Sequence, residues 1–180
     1  MYQTPALREA GYRTTIFDNR GIPPSDAPPG RYTLADLTAD TRGLIDALGL
    51  RGCHVVGFSL GALIAQELAI ADPGIFTSAV FAATKSRSDA ARRAQEAGSA
   101  ALRAAGIELP AAYRAVKTVF EMLSPVTIND EQRITEWVDL FELAHEPGRH
   151  RGQDWIDTGA DRRAALGRIA VPCRVIAFTT

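Results

Sequence analysis

The chain has 180 residues, 46% hydrophobic and 23% charged, an ordinary balance for a single globular domain with its own core. Its 20 basic and 21 acidic side chains give a formal net charge of −1, so no cationic surplus supports nucleic-acid binding. The N-terminal residues show no basic-then-apolar signal pattern and no apolar run reaches membrane-spanning length. Two cysteines, Cys53 and Cys173, read as reduced core strand residues, which places the expectation in the cytoplasm.

In chain order, residues 2–10 read as the tail of a helix stopped by Gly11, and residues 14–17 as a short strand. Residues 18–30 form a loop stiffened by Pro23, Pro24, Pro28 and Pro29. An amphipathic helix follows over residues 33–48. Leu34, Leu37, Leu44, Ile45 and Leu48 mark its buried face, Thr33 and Asp36 form a capping box, and Gly49 closes it. The run Cys53–Phe58 reads as a buried strand. Ala62, Ala65, Leu68 and Ala69 then recur at helical spacing, and residues 75–83 form the next strand. Strands alternating with helices predict parallel βαβ units.

Residues 86–150 change character. An Ala/Arg-rich run follows Asp89, which reads as a helix cap. Val116, Val119, Phe120 and Leu123 form an apolar stripe ending at Pro125. Asn129 and Gln132 suggest a capping box for a second stripe of Ile134, Trp137, Val138 and Phe141, closed by Pro147 and Gly148. Residues 86–156 are therefore read as a helical cap or lid over a core made of residues 1–85 and 157–180.

The most specific signal is Gly57-Phe58-Ser59-Leu60-Gly61, a G-x-S-x-G pattern between the apolar strand and the apolar helix. A serine on a sharp strand-to-helix turn has a strained backbone, and side chains two positions either side would crowd that turn. Gly57 and Gly61 remove them. The turn would hold the Ser59 hydroxyl above a helix start, where backbone N–H groups can meet a developing negative charge. The competing reading is a glycine-rich turn with a serine cap.

These residues resemble the α/β-hydrolase superfamily. Gly11 to Gly21, containing Asp18-Asn19-Arg20-Gly21, is similar to the family's fourth strand and its D-x-R-G loop. Asp72-Pro73-Gly74 and the strand after it match the end of the nucleophile helix and the sixth strand. Ile169-Ala170-Val171-Pro172, followed by residues 173–178, matches the approach to the seventh strand and that strand itself. The resemblance implies an α/β fold with a mostly parallel sheet built from the fourth to seventh family strands. Among its members, small bacterial esterases, haloperoxidase-like enzymes and natural-product-cluster hydrolases look most similar.

The resemblance further implies a serine esterase or related acyl hydrolase with Ser59 as nucleophile and the Leu60 backbone N–H as oxyanion donor. A small-molecule acyl substrate is expected, with no cofactor. Family order runs Ser, then acid, then His, so the acid and histidine are expected after Thr180 and further strands before Met1. The chain is thus read as an internal portion of a longer hydrolase, inactive alone. His54, five residues before Ser59 on one strand, lies roughly 16 Å from it and reads as structural. His145 and His150 fall at the end of the insert, where a lid could fold one over the serine.

Phe58, Phe120, Trp137 and Phe141 could line an acyl pocket, though the same spacing also gives plain lid-to-core packing. Arg20 reads as a loop brace or a contact to an anionic substrate, Asp18 as structural, and Ser25 and Asp26 as shaping the proline-rich loop. No His/Cys/Asp spacing makes a metal ligand set. The alternative function is a non-catalytic small-ligand binder, or a biosynthetic cyclase or lyase using the same cavity. Nothing in the sequence specifies an oligomeric state.

Overall fold

A computed structural model describes residues 3–144 and 152–178. The elements in order are α1 (Gln3–Glu9), α2 (Leu34–Ala47), β1 (Cys53–Phe58), α3 (Leu60–Ala71), β2 (Phe76–Ala82), α4 (Ala90–Ala104), α5 (Ala111–Met122), α6 (Pro125–Ile128), α7 (Glu131–Leu143), a 3-10 turn (Gln153–Trp155), α8 (Arg163–Leu166) and β3 (Cys173–Ile176).

The three strands form a parallel sheet in the order β1-β2-β3. Val55 pairs with Ala79 and Gly57 with Phe81, while Ala79 pairs with Cys173 and Ala82 with Ile176. On one face lies α3, with α2 packed on it. Ala62, Leu63, Ile64, Ala65, Leu68 and Ala69 of α3 are all buried, which explains why that helix is apolar nearly all round. Leu37 and Ile45 of α2 complete the layer beside Ile75 and Phe81. Fully burying a side chain such as Leu37 or Leu68 contributes about 1.5–3 kcal/mol.

Local signals hold the elements where the sequence predicts them. The Thr33 hydroxyl accepts from the Asp36 N–H at 3.1 Å and the Asp36 carboxylate accepts from the Thr33 N–H at 2.8 Å, a complete capping box. Gly49, with φ +61, ends α2, and Gly11, with φ +88, follows α1. The Asp89 carboxylate caps α4 through the Arg92 N–H at 2.8 Å.

Several expectations are corrected. Residues 12–19 form no strand, because no neighbouring chain among the described residues completes a ladder; Ile16 is 70% exposed. Nor is β1 buried on both faces. Val55 and Gly57 face the helices, whereas Val56 and Phe58 point to the opposite, uncovered face and are 56% and 63% exposed. Leu48 is exposed, since it is the C-terminal cap of α2 rather than part of its inner stripe. Cys173 is exposed on an edge strand, not in the core. The last strand stops at Ile176. Asp130, not Asn129, caps α7 by accepting the Arg133 N–H at 3.0 Å; Asn129 instead ends α6. Pro125 opens α6, two residues after the Leu123 cap of α5. His145, Pro147, Gly148 and His150 lie outside the described residues.

Candidate active site

Ser59 sits at the junction of β1 and α3 with φ +50 and ψ −113. A non-glycine residue held there costs on the order of 1–3 kcal/mol. The surroundings enforce it. The Ser59 N–H donates to the Ala82 carbonyl at 2.9 Å, and the Ser59 carbonyl accepts from Ala62 at 3.0 Å and Leu63 at 3.3 Å. The chain is thereby pinned to the end of β2 on one side and to the first turn of α3 on the other. The hydroxyl makes no capping bond, and the residue is exposed. A serine cap would bond the helix N–H groups, so that reading is excluded by geometry.

The two glycines differ. A Cβ at Gly57 would lie 2.5 Å from the Gly61 carbonyl oxygen and 2.7 Å from Ala62 Cα, both backbone atoms. Nothing but hydrogen fits there. A Cβ at Gly61 would meet no heavy atom within 4 Å among the described residues, so the crowding expected at that position is absent. The Leu60 and Gly61 N–H groups, first in α3, have no backbone acceptor among the described residues. They carry the positive end of the helix dipole beside the Ser59 oxygen.

The four aromatic residues singled out by sequence fall into three groups. Phe58 adjoins Ser59 on the uncovered sheet face, with its ring edge-on to Phe178 at 6.2 Å. Trp137 and Phe141 pack on each other on α7 at 5.4 Å, and Phe120 is 69% exposed on α5. A cavity of about 390 Å³ lies between α4, α5 and residues 154–158, lined by Glu96, Arg103, Lys117, Glu121, Trp155 and Asp157 among others. Neither Ser59 nor these four aromatic residues line it.

His54, at the opposite end of β1 from Ser59, holds Ser78 Oγ at 2.7 Å through Nδ1 and meets the Tyr12 ring edge-on. It is a cross-strand structural residue. Arg20 is a brace: Nε and Nη2 each donate to a different Asp40 carboxylate oxygen at 2.5 Å, and its carbonyl accepts from Gln153 at 2.8 Å. That fork raises the Arg20 guanidinium pKa further above its ordinary value, with the Asp40 hydrogen bond as first cause. The Ser25 hydroxyl donates to the Asp18 carbonyl at 2.5 Å and closes the proline-rich loop. Burial pushes the Cys53 thiol pKa up, opposite to what a nucleophilic thiol needs. Among the described residues no group of three or more His, Cys, Asp or Glu could hold a metal ion, and no helix is long and apolar enough to cross a membrane.

Sequence reasoning missed three structural residues. Tyr32 is buried and bonds the Gly152 carbonyl through its N–H at 2.9 Å; a Cβ at Gly152 would strike its ring at 2.3 Å. Gln66 is only 3% exposed on α3, and Arg162 is buried against Glu67. An isolated glutamine in an apolar helix is the one signal that pointed to any of them.

A profile described as the alpha/beta hydrolase fold matches residues 2–104. The protein of Mycobacterium tuberculosis named as non-heme bromoperoxidase BpoC is 37% identical over 180 residues, covering 98% of this chain and 68% of its own. Its crystal structure superposes with a TM-score of 0.86 over 97% of this chain and 66% of that one. A Variovorax paradoxus protein named as carbamate hydrolase RutD is 33% identical, covering 97% of this chain and 66% of its own. The 3-oxoadipate enol-lactonase 2 of Acinetobacter baylyi is 30% identical, covering 92% and 60%. The chain thus spans about two thirds of the length of the relatives it matches. With its strained serine at a strand-to-helix turn of a parallel sheet, the chain belongs to the α/β-hydrolase fold family.

Proposed function

We propose that Ser59 is the nucleophile of a serine hydrolase acting on a small ester, thioester or related acyl compound. One observation carries the reading: a serine is held at positive φ with its hydroxyl making no capping bond, at the mouth of a helix whose first N–H groups have no backbone acceptor among the described residues. Strain of this kind persists where a side chain must be displayed, and it is the form a nucleophile elbow takes. Relatives named as a carbamate hydrolase and an enol-lactonase support acyl chemistry.

In the proposed step Ser59 Oγ bonds the acyl carbon while its proton passes to a general base. The carbonyl π electrons move onto oxygen, where the Leu60 N–H stabilises them. Collapse expels the protonated leaving group, and water then releases the acid. His54 is excluded as the base by its position at the far end of β1 and its bond to Ser78. His54 is the one histidine among the described residues, so a histidine base would come from residues other than those described. The helices between β2 and β3 act as a lid over the acyl group, and Phe58, Phe120, Trp137 and Phe141 supply apolar surface for it. Two free cysteines suit a reducing cytoplasm.

The test is covalent labelling of the full-length gene product with a fluorophosphonate, mapped by peptide mass. Adduct on Ser59, lost in Ser59→Ala, supports the assignment; adduct elsewhere, or none, rejects it. A second reading, ligand binding or cyclase/lyase chemistry without an acyl-enzyme, is favoured by the cavity whose walls do not include Ser59. Saturable ligand binding that survives Ser59→Ala, with no labelling, would select it.

A further inference from the structure

We infer that Gln66 and Glu67, consecutive residues of α3, are positioning residues that clamp the two ends of the helical segment between β2 and β3 and so set which acyl groups reach Ser59. The inference rests on Ser59 being the nucleophile, because it concerns the access route to that residue.

The chain leaves the sheet after β2 through Ala83, a non-glycine residue with φ +53, and its next residue is tied to α3. Gln66 Nε2 donates to Thr84 Oγ1 at 3.1 Å. The returning chain meets the next α3 residue through an ion pair: Arg162 Nη2 lies 2.7 Å from Glu67 Oε1, a charge contact without hydrogen-bond geometry. The two ends are also joined directly, because the Arg162 N–H donates to the Ser86 carbonyl at 2.8 Å. Outgoing and returning chains are thereby fixed to one rigid helix and to each other.

Burial gives these ties their force. Gln66 is 3% exposed, with Oε1 buried and unpartnered among the described residues. The Arg162 side chain is 8% exposed, against 37% for Glu67. A guanidinium taken from water is strongly disfavoured without its counter-charge, so the neck favours the arrangement that keeps the Glu67 contact. Above the neck, the buried Ser88 hydroxyl bonds Glu96 of α4 at 3.1 Å, Lys85 Nζ reaches the same carboxylate at 2.8 Å, and Arg93 donates to the Ser88 carbonyl at 2.6 Å. A Cβ at Gly159 on the returning chain would lie 2.8 Å from Glu96. Thus α4 is fastened to the outgoing leg of the neck and lies close against the returning one.

Ser59 opens the same helix. Gln66 lies seven residues further, about 10 Å along the axis. Because α3 is packed on nearly all sides, it transmits a fixed relation between the nucleophile and the foot of the helical segment. Neither residue has a role in the bond-making step. Loosening the neck should change which substrates fit before it changes how fast a fitting one reacts.

The experiment compares labelling rates of the full-length gene product with a short-chain and a long-chain fluorophosphonate, in Glu67→Gln and Arg162→Lys; the lysine keeps the charge but loses the planar guanidinium. Hydrogen exchange is followed in parallel over residues 84–104 and over α3. The expected result is a long-to-short rate ratio changed by about tenfold, with the short-probe rate held within about twofold. Exchange should quicken over 84–104 and stay unchanged in α3, and the charge-reversed pair Glu67→Arg with Arg162→Glu should restore the ratio in part. An unchanged ratio, or equal loss with both probes, would overturn the inference. If the wild type fails to label at Ser59, the nucleophile assignment falls by itself. Exchange then decides the clamp, and unchanged exchange in Glu67→Gln refutes it. Should Glu67→Gln fail to fold, Arg162→Lys is read in its place by the same measures.

Discussion

Ser59 donates its backbone N–H to the carbonyl of Ala82, and the residue after that carbonyl, Ala83, is the other non-glycine residue with positive φ among the described residues, at +53 beside +50 for Ser59. Ala83 in turn donates to the Ile176 carbonyl at 3.0 Å. The ends of the three strands are laced together through two strained residues, so the elbow is held by the sheet and not by its own sequence alone. Relaxing the strain should therefore show as stability. Ser59→Gly is expected to raise unfolding free energy by about 1 kcal/mol, because glycine tolerates positive φ, while removing all labelling at this position. Ser59→Ala should abolish labelling without that gain. Denaturant unfolding of the two variants side by side distinguishes them.

The unequal glycines give a second prediction. Gly57→Ala forces a methyl into backbone atoms 2.5 and 2.7 Å away, so the elbow must open. A loss of roughly 2–4 kcal/mol is expected, together with loss of fluorophosphonate labelling. Gly61→Ala meets no such obstacle within 4 Å and replaces glycine by the best helix former. It should leave stability unchanged or raise it by up to about 1 kcal/mol. Thermal melts of both variants provide the comparison, and equal damage from the two substitutions would contradict the geometry.

Much of this was legible in the sequence because it depends on local chemistry. The Thr33/Asp36 box, Gly49, Asp89 and the alanine spacing of α3 each act within a turn or two, and each appears where the pattern puts it. The position of the strand-to-helix turn at Ser59 was legible from its flanking runs, though the sheet helps to hold it. Properties fixed by distant neighbours were not. Residues 14–17 have strand composition, but a strand also needs a hydrogen-bonded partner. Val56 and Phe58 continue an apolar run, yet which face is covered depends on the layer laid against it. Arg20 left two readings open until Asp40, twenty residues on, was seen within 2.5 Å. Arg162 looks like an ordinary polar residue, and only the tertiary fold buries it.

A pH effect follows from Asp72 at the end of α3. The hydrogen bonds from Arg51 at 2.6 Å and Arg42 at 3.1 Å hold its carboxyl below the ordinary 3.8, Arg51 being the larger cause. A carboxylate with a lowered folded pKa adds stability that is complete above its unfolded value and fades as pH falls through the folded one. Stability linked to Asp72 is therefore constant above about pH 5 and declines as the solution is acidified below the usual aspartate range. Arg51→Gln should move the Asp72 titration upward, and Arg42→Gln should move it less. Carbon-detected NMR titration of the side-chain carboxyl reads both shifts, and an unmoved midpoint in Arg51→Gln would refute the pairing.

The Arg20 fork separates bracing from substrate contact. Its Nε and Nη2 both donate to Asp40, its Nη1 lies 3.9 Å from Asp36 Oδ1, its guanidinium stands 5.7 Å from the Tyr32 ring centre, and its carbonyl receives Gln153 from the chain returning toward β3. A bidentate, partly buried pair is worth more than an exposed one, so Arg20→Ala should lower stability by roughly 1–3 kcal/mol. Lysine cannot reproduce the two parallel bonds, and Arg20→Lys should recover less than half of that loss. Asp40→Asn should resemble Arg20→Ala, and the double variant should cost less than the sum of the singles, since each removes the same contact. A substrate-binding arginine would behave differently: its loss would raise KM for anionic substrates alone and leave unfolding untouched. Denaturant curves for the four proteins, read with KM for a charged and an uncharged ester, decide between the roles. The geometry predicts coupled loss of stability with no preference for substrate charge.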